Sequence, residues 1–250
     1  MQPEAYCVHR SFEPADPSQF EVDRHYLLYA LEGTIRLEAD GQRWTLPPAR
    51  AALISAGHPI TITVLSKLTS ASVLFATEFT KAPDHVLTVF DMSPLARELV
   101  RTCRDWGPEN GPLSPFAKRI FETLADVVHQ LSLVPSQCVL PSPKSEQLKN
   151  AVQLTEQLAH ADPTFEDIAT QSNQSPRALA RRFADEMSMT WREVLRHIRI
   201  MRAVEALATT DAQITEIAFA VGYGSLSGFN AAFRRQMQMS PTEYRASFTA

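Results

Sequence analysis

VGYGSLSGFNAAFRRQ, Val221 to Gln236, places three glycines in seven residues and then runs directly into a helical pattern. Two physical readings compete for it: a loop that cradles the phosphates of a nucleotide, or the turn between two packed helices. A dinucleotide fingerprint needs G-x-G-x-x-G immediately after a buried strand, inside a strand-helix-strand unit. Here the third glycine comes one residue late, and the preceding TEIAFAV has helical rather than strand spacing. The helix-pair reading is therefore favoured, and the polyphosphate to consider is a DNA backbone.

The same pattern occurs once more upstream. Ile168-Ala169 in FEDIATQSNQSPRALARRF corresponds to Ile217-Ala218 in ITEIAFAVGYGSLSGFNAAFRR, at an offset of 49. Beyond the turn the offset is 50, pairing Leu179 with Phe229, Phe183 with Phe233, Met187 with Met237, Met189 with Met239 and Val194 with Tyr244. One residue is inserted in the second turn and the register otherwise holds. Matching apolar positions at helical spacing on both sides of a turn mean that one small helical unit is used twice. In the first unit Asn173 suits a left-handed turn, and Ser175-Pro176 supplies an N-cap and a first-turn proline. In the second, Gly222 ends the first helix, and Ser225 or Ser227 can cap the next. The expected architecture is a helix-turn-helix, repeated.

The segments EDIA, SPRALARRF, ITEIAFAVGY, FNAAFRR and MSPTEYR, in that order between about Lys144 and Arg245, resemble the AraC/XylS type of bacterial transcription regulator. The resemblance implies two helix-turn-helix subdomains joined by a long helix, about Trp191 to Leu207, that sets two recognition helices into successive major grooves. At about 1.5 Å per residue, its 17–19 residues give roughly 26–28 Å, compatible with grooves one turn (~34 Å) apart. A glycine usually follows each recognition helix in this family, but Ser188 and Gln238 stand there, at a cost on the order of 1 kcal/mol each.

With Leu179 and Phe183 facing inward, Arg177 and Arg181 share the outward face of the first recognition helix, with Ala180 beside them and Ser175 at its start. Arginine presents a fork that fits guanine O6 and N7, which makes this pair the base-reading candidates and Arg182 a phosphate contact. In the second recognition helix the resemblance places Ser227, Gly228 and Ala231 against bases, with Asn230 nearby and Ser225 at the start. Arg234 and Arg235 lie further along, where backbone contact is the natural role. The expected readout is lopsided.

Charge distribution bears on the same point. Formal net charge is −4, and residues 1–143 carry 12 Lys and Arg against 16 Asp and Glu, whereas residues 144–250 hold 12 of each. Within the latter, Arg177, Arg181, Arg182, Arg192, Arg196, Arg199 and Arg202 meet only Asp185, Glu186 and Glu193. That stretch is locally positive, which fits a DNA-facing surface, although such a charge run is more often a solvated helix face.

The N-terminal half reads differently. From about Glu21 to Phe79, HYLLYAL, GTIRLEA, QRWTL, RAALIS, PITITVL and ASVLFATEF are short, apolar and β-branched, and Asp40-Gly41 is a strong hairpin signal. After Pro83 the pattern becomes helical: Ser93-Pro94 and Ser114-Pro115 each open an amphipathic helix, with Leu95, Leu99 and Cys103 on one stripe and Ile120, Leu124, Val127 and Leu131 on the other. The strands resemble the cupin-like regulatory domain common in the AraC/XylS family. The expected fold is α+β: a cupin-like β-barrel followed by two helices, then an all-α double helix-turn-helix domain. Boundaries fall at 1–140 for the regulatory domain, 141–146 for a linker within VPSQCVLPSPKSEQ, and 147–250 for the DNA-binding domain.

His25, Tyr29, Glu32, Trp44 and His58 are the candidate effector-binding residues. A metal cupin would carry a His-x-His pair, which is absent; His25, His58 and Glu32 could in principle hold iron or zinc, but no cofactor or metal is expected. Cys7, Cys103 and Cys138 are too few and too scattered for a disulfide framework or a zinc site. MQPEAYCVHRSFEPAD lacks the core of a signal peptide, and no run approaches the roughly 18 apolar residues of a membrane span. The expectation is a cytoplasmic, nucleoid-associated, non-enzymatic transcription factor whose partners are double-stranded DNA, a small-molecule effector, a second copy of itself and, as the family resemblance allows, RNA polymerase. Two rivals are a metal-dependent cupin enzyme fused to a DNA-binding module, and a DNA-repair methyl acceptor, which would need a cysteine cluster where Cys7 stands alone.

Overall fold

The computed structural model describes residues 3–48, 50–136 and 139–249, so Cys138 lies outside the described residues. The chain divides into two compact units, one of residues 3–40 and 44–136, the other of 41–43 and 139–249.

The first unit contains β1 (Ala5–Phe12), β2 (Ala15–Phe20), β3 (His25–Glu32), β4 (Ile35–Ala39), β5 (Gln42–Leu46), β6 (Arg50–Ile54), β7 (Ile60–Val64), β8 (Leu68–Phe75) and β9 (Leu87–Asp91), then helices α1 (Pro94–Cys103) and α2 (Pro115–Ser132). The ladders fall into two sheets rather than one closed barrel, ordered β1-β8-β3-β6-β9 and β5-β4-β7-β2. Asp40 and Gly41 both take positive φ, +49° and +71°, as a two-residue hairpin turn demands. The expected strands are present, and three more join them. β2 (ADPSQF) is polar and exposed almost throughout and pairs through its backbone with β7; β1 pairs with β8, and β9 follows Pro83 in the stretch expected to be helical.

The position of β3 between two cores explains why its sequence is continuously apolar from Tyr26 to Leu31, between His25 and Glu32 at its ends. Leu27 and Tyr29 point into a core shared with α1 and α2, while Leu28 and Ala30 point into a second core shared with the other sheet. A strand buried on both faces has no polar side to show. The two helices cover the outer face, with caps as expected: Ser93 Oγ accepts from the Ala96 amide and Ser114 Oγ from the Ala117 amide, each at 3.2 Å. The buried face of α1 is Ala96, Val100 and Cys103, not the Leu95, Leu99 and Cys103 stripe, and Leu95 is 55% exposed. In α2 the buried face is Ala117, Phe121, Leu124, Ala125 and Val128, with Ile120, Val127 and Leu131 at its border. Small side chains let a helix approach the sheet closely, and that fit, invisible to periodicity, selects the face. Cys7 and Cys103 are buried free thiols, and burial pushes the Cys7 thiol up to about 11.

The second unit contains a short strand, β10 (Val139–Pro141), and among its described residues seven α-helices, α3 (Glu146–Leu158), α4 (Phe165–Gln171), α5 (Pro176–Met187), α6 (Trp191–Thr209), α7 (Ile214–Ala220), α8 (Leu226–Met237) and α9 (Pro241–Thr249), with one 3-10 turn, Ala159–Ala161, directly after α3. They build two separate cores. Leu148, Ile168, Leu179, Phe183 and the first half of α6 form one; the second half of α6, with Ile217, Phe229, Phe233 and Tyr244, forms the other. No helix among the described residues is long and apolar enough to cross a membrane.

Candidate DNA interface

The repeat is followed down to individual hydrogen bonds. Thr164 with Asp167 opens α4 as a capping box and Thr190 with Glu193 does the same for α6; at the start of α7 the Gln213 amide donates to Glu216 at 2.9 Å. At the start of α9 the Ser240 amide and hydroxyl both donate to Glu243, each at 2.7 Å. Asn173 and Gly222 turn the chain at φ +55° and +96°. The Gln174 amide then donates to Ala169 O at 2.9 Å, and the Tyr223 amide to Ala218 O at 3.0 Å. Ser175 and Ser225 cap the recognition helices by accepting from Ala178 N and Gly228 N, both at 3.2 Å. The offset is 49 up to Tyr223 and 50 from Ser225, so Gly224 is the inserted residue.

Ser225, not Ser227, is the cap; Ser227 lies on α8 with its hydroxyl 3.4 Å from that of Ser225. Ser188 and Gln238 end α5 and α8 in left-handed backbone, the geometry a glycine would adopt. The pairs Leu179/Phe229, Phe183/Phe233 and Met187/Met237 are all buried, fixing which sides of α5 and α8 face out.

On α5 the outward face presents Ser175, Arg177, Ala180 and Arg181. Neither Arg177 nor Arg181 makes a side-chain hydrogen bond or ion pair among the described residues, so both guanidinium forks are available. Arg182 is half-buried, 3.8 Å from Glu186 one turn on. On α8 the outward face presents Ser227, Gly228, Asn230, Ala231, Arg234 and Arg235. By the offset of 50, Ser227 stands where Arg177 stands, Asn230 where Ala180 stands and Ala231 where Arg181 stands.

The arginine-rich stretch is less uniform than its sequence. Arg177, Arg181 and Arg192 are exposed, but Arg199 is buried, with its Nε donating to Ala159 O at 2.8 Å and its Nη2 to Asp162 Oδ1 at 3.0 Å. Arg202 donates to the Glu156 carbonyl. These two belong to the interior of the unit, not to its charged face. Glu186 is likewise structural, since it accepts from the Lys144 and Ser145 amides, each at 2.8 Å, and from Ser145 Oγ at 2.6 Å. Burial pushes its pKa up, but those donors and Arg182 outweigh it, and the carboxyl is held below its ordinary value.

The five effector candidates do not converge. His25 is buried on β3, its Nδ1 accepting from the Ala56 amide at 3.2 Å, and burial lowers its pKa. Tyr29 faces the helix-side core and Trp44 packs against the core between the sheets. Glu32 and His58 are exposed; Glu32 accepts from Thr69 Oγ1 at 3.2 Å, and the His58 ring lies 2.9 Å from Ala56 O. No group of three or more His, Cys, Asp or Glu among the described residues is placed to hold a metal. The first unit does contain an apolar cavity of about 140 Å³ between its sheets, walled by Phe12, Phe20, Tyr26, Leu28, Ile54 and Ile62 among others, and none of the five lines it. Burial pushes the Tyr26 phenol up to about 12, against the hydrogen bond of 2.7 Å it shares with Ser72. In the sequence, the continuous apolar run of β3 is the available signal for this cavity.

Residues 168–247 match the model of a helix-turn-helix domain. Over 247 residues, 98% of this chain and 88% of the relative, the protein is 23% identical to the HTH-type transcriptional regulator NimR of Escherichia coli (strain K12). It is 31% identical over 106 residues to the transcriptional activator RhaS of Klebsiella pneumoniae (strain 342), 40% of this chain and 38% of that one. Among solved structures, the C-terminal domain of AraT, a response regulator from Geobacillus stearothermophilus, is 34% identical, with 41% of this chain and 86% of that chain covered and a TM-score of 0.40. By its doubled turn, its matching caps and the helix-turn-helix match over residues 168–247, the second unit carries an AraC-type helix-turn-helix domain, and the chain is a DNA-binding transcription regulator.

Proposed function

We propose that this regulator reads its operator unevenly, strongly through α5 and weakly through α8, under the control of a small apolar effector held between the sheets of the first unit. The observation that carries the uneven readout is the repeat itself. Where α5 has Arg177 and Arg181, α8 has Ser227 and Ala231, side chains too short for a bidentate contact with a base. Each good arginine-guanine pair gives roughly 1–3 kcal/mol of discrimination. Arg182, Arg234 and Arg235 contact phosphates, Ser175 and Ser225 lie against the backbone at the helix starts, Ala180 and Gly228 allow close approach, and Asn230 is the polar reader left to α8. Affinities on duplexes carrying single base-pair changes test this: Arg181→Ala removes discrimination at one or two positions, whereas a uniform loss across all duplexes refutes its role as a reader.

The effector reading rests on the cavity of about 140 Å³, whose wall is apolar apart from the Tyr26 phenol. An apolar cavity of about 150 Å³ stays dry and takes a ligand the size of benzene, so the effector presents an uncharged group of that size. The protein works as a homodimer, with α1 and α2 as the shared surface: Leu95 and Phe116 are 55% and 56% exposed there, and Leu99, Ile120, Val127 and Leu131 lie half-buried beside them. The first unit serves regulation and the second binds DNA. The action is non-enzymatic, in the cytoplasm, on the nucleoid.

A further inference from the structure

The two cores of the DNA-binding unit meet at one residue of α6. Ile198 packs in the first core and Ile200 in the second. Arg199, between them, is 9% exposed and touches both halves. Toward the first half its guanidinium donates to Ala159 O at 2.8 Å and Asp162 Oδ1 at 3.0 Å. Toward the second it lies 5.8 Å from the Tyr223 ring centroid, and that ring packs edge-on against Phe229, the first buried residue of α8, at 5.4 Å. Gly222 closes the arrangement: a Cβ there would stand 2.4 Å from Ala159 O and 2.8 Å from Arg199 Nη2. The turn of the second helix-turn-helix is thus seated directly on the end of α3 and on the buried guanidinium.

We infer that Arg199 is a positioning residue that locks the two helix-turn-helix units at one separation and one rotation, and so sets the spacing the regulator accepts between its two DNA elements. The chemistry supports this. A guanidinium has a planar fork whose donors point in fixed directions, and buried charge-assisted bonds of this kind are geometrically demanding. A continuous helix alone fixes distance but can bend, while a lock at its midpoint that joins the turn of one unit to the entry of the other resists that bending. One base pair added between the elements moves the second by about 3.4 Å and about 35°, which a locked pair of recognition helices cannot follow.

The test uses the full chain and duplexes carrying its selected sequence, at the natural spacing and with one base pair inserted or deleted between the two elements. For the wild-type protein the change of spacing weakens binding by at least twentyfold. In Arg199→Met, which keeps the bulk and removes the donors, that ratio falls to below about fivefold, while affinity for a duplex holding only the first element stays within twofold of wild type. Asp162→Asn, at a side chain that is 85% exposed, weakens one anchor by removing its charge while leaving an amide oxygen to accept, and shifts the ratio in the same direction by a smaller amount; it carries the test if Arg199→Met does not melt cooperatively. Spacing ratios equal to wild type in the folded variants overturn the proposal, as does an equal loss on the single-element duplex, which would place Arg199 inside the first reader rather than between the two.

Discussion

Ser188 and Gln238 occupy the same place in the two halves of the repeat, each ending its recognition helix in left-handed backbone, at φ +53° and +59°. The Ser188 amide donates to Ala184 O at 3.0 Å and the Gln238 amide to Arg234 O at 2.9 Å. A side chain in this region costs about 1–2 kcal/mol, part of which glycine returns through its greater freedom in the unfolded chain. Ser188→Gly therefore stabilises the DNA-binding unit by about 0.5 kcal/mol in urea unfolding. Gln238→Gly gains less, because Gln238 Nε2 already donates to Arg235 O at 3.1 Å.

Gly222 behaves in the opposite way from those two positions. At φ +96°, with Ala159 O in the path of any Cβ, Gly222→Ala combines backbone strain of about 1–3 kcal/mol with a steric clash against main chain. It lowers the melting temperature of the full chain by several degrees, whereas Gly224→Ala, with nothing within 4 Å, leaves it within a degree. Equal effects at the two glycines would contradict the seating of the turn on Ala159.

The capping boxes give the protein an acid limit. Bonds from the Thr164 hydroxyl and amide hold the Asp167 carboxyl below its ordinary value; the Thr190 amide and hydroxyl do so for Glu193, and the Ser240 hydroxyl and amide for Glu243. A carboxyl whose pKa is lower folded than unfolded contributes stability that is present above the unfolded value, about 4, and is lost as pH falls through the folded one. Melting temperature is therefore insensitive to these groups from pH 7 down to about 5 and drops below about 4. Glu193→Gln is less stable than wild type at pH 7, and the difference shrinks as pH falls below about 4.

The cavity between the sheets predicts a response to apolar molecules. Benzene or a similarly sized uncharged ring raises the melting temperature of the wild-type protein in proportion to the logarithm of its concentration once above its Kd. Leu28→Phe, which fills the space, removes that response; a response that survives the substitution would move the effector elsewhere.

Much of the DNA-binding unit is legible in the sequence because its signals are local. Asn173, Ser175-Pro176 and Gly222 announce their own backbone geometry, and the offset of 49 changing to 50 locates the insertion that the structure assigns to Gly224. The long helix runs to Thr209, two residues past its expected end, as fraying ends do. What is not legible depends on partners distant in sequence. Arg199 and Arg202 look like surface charge until α3 and the turn after it supply carbonyls 40 and 46 residues away. β2 is polar because as an edge strand it needs only backbone pairing, and Leu95 passes for core because helical periodicity finds an apolar face without saying what covers it. Residue type is all that unites His25, Tyr29, Glu32, Trp44 and His58, and strand alternation sends Tyr29 and Trp44 into different cores.

The most direct test of the account is selection from a random duplex pool with the full-length protein at one fixed salt concentration, since phosphate contacts make affinity salt-dependent. Uneven readout by α5 and α8 gives an enriched motif with one sharply specified element and one diffuse element about a helical turn apart, and loss of the sharp element's base preference in Arg177→Ala and Arg181→Ala. Two equally sharp elements, or a motif unchanged by those substitutions, would contradict it.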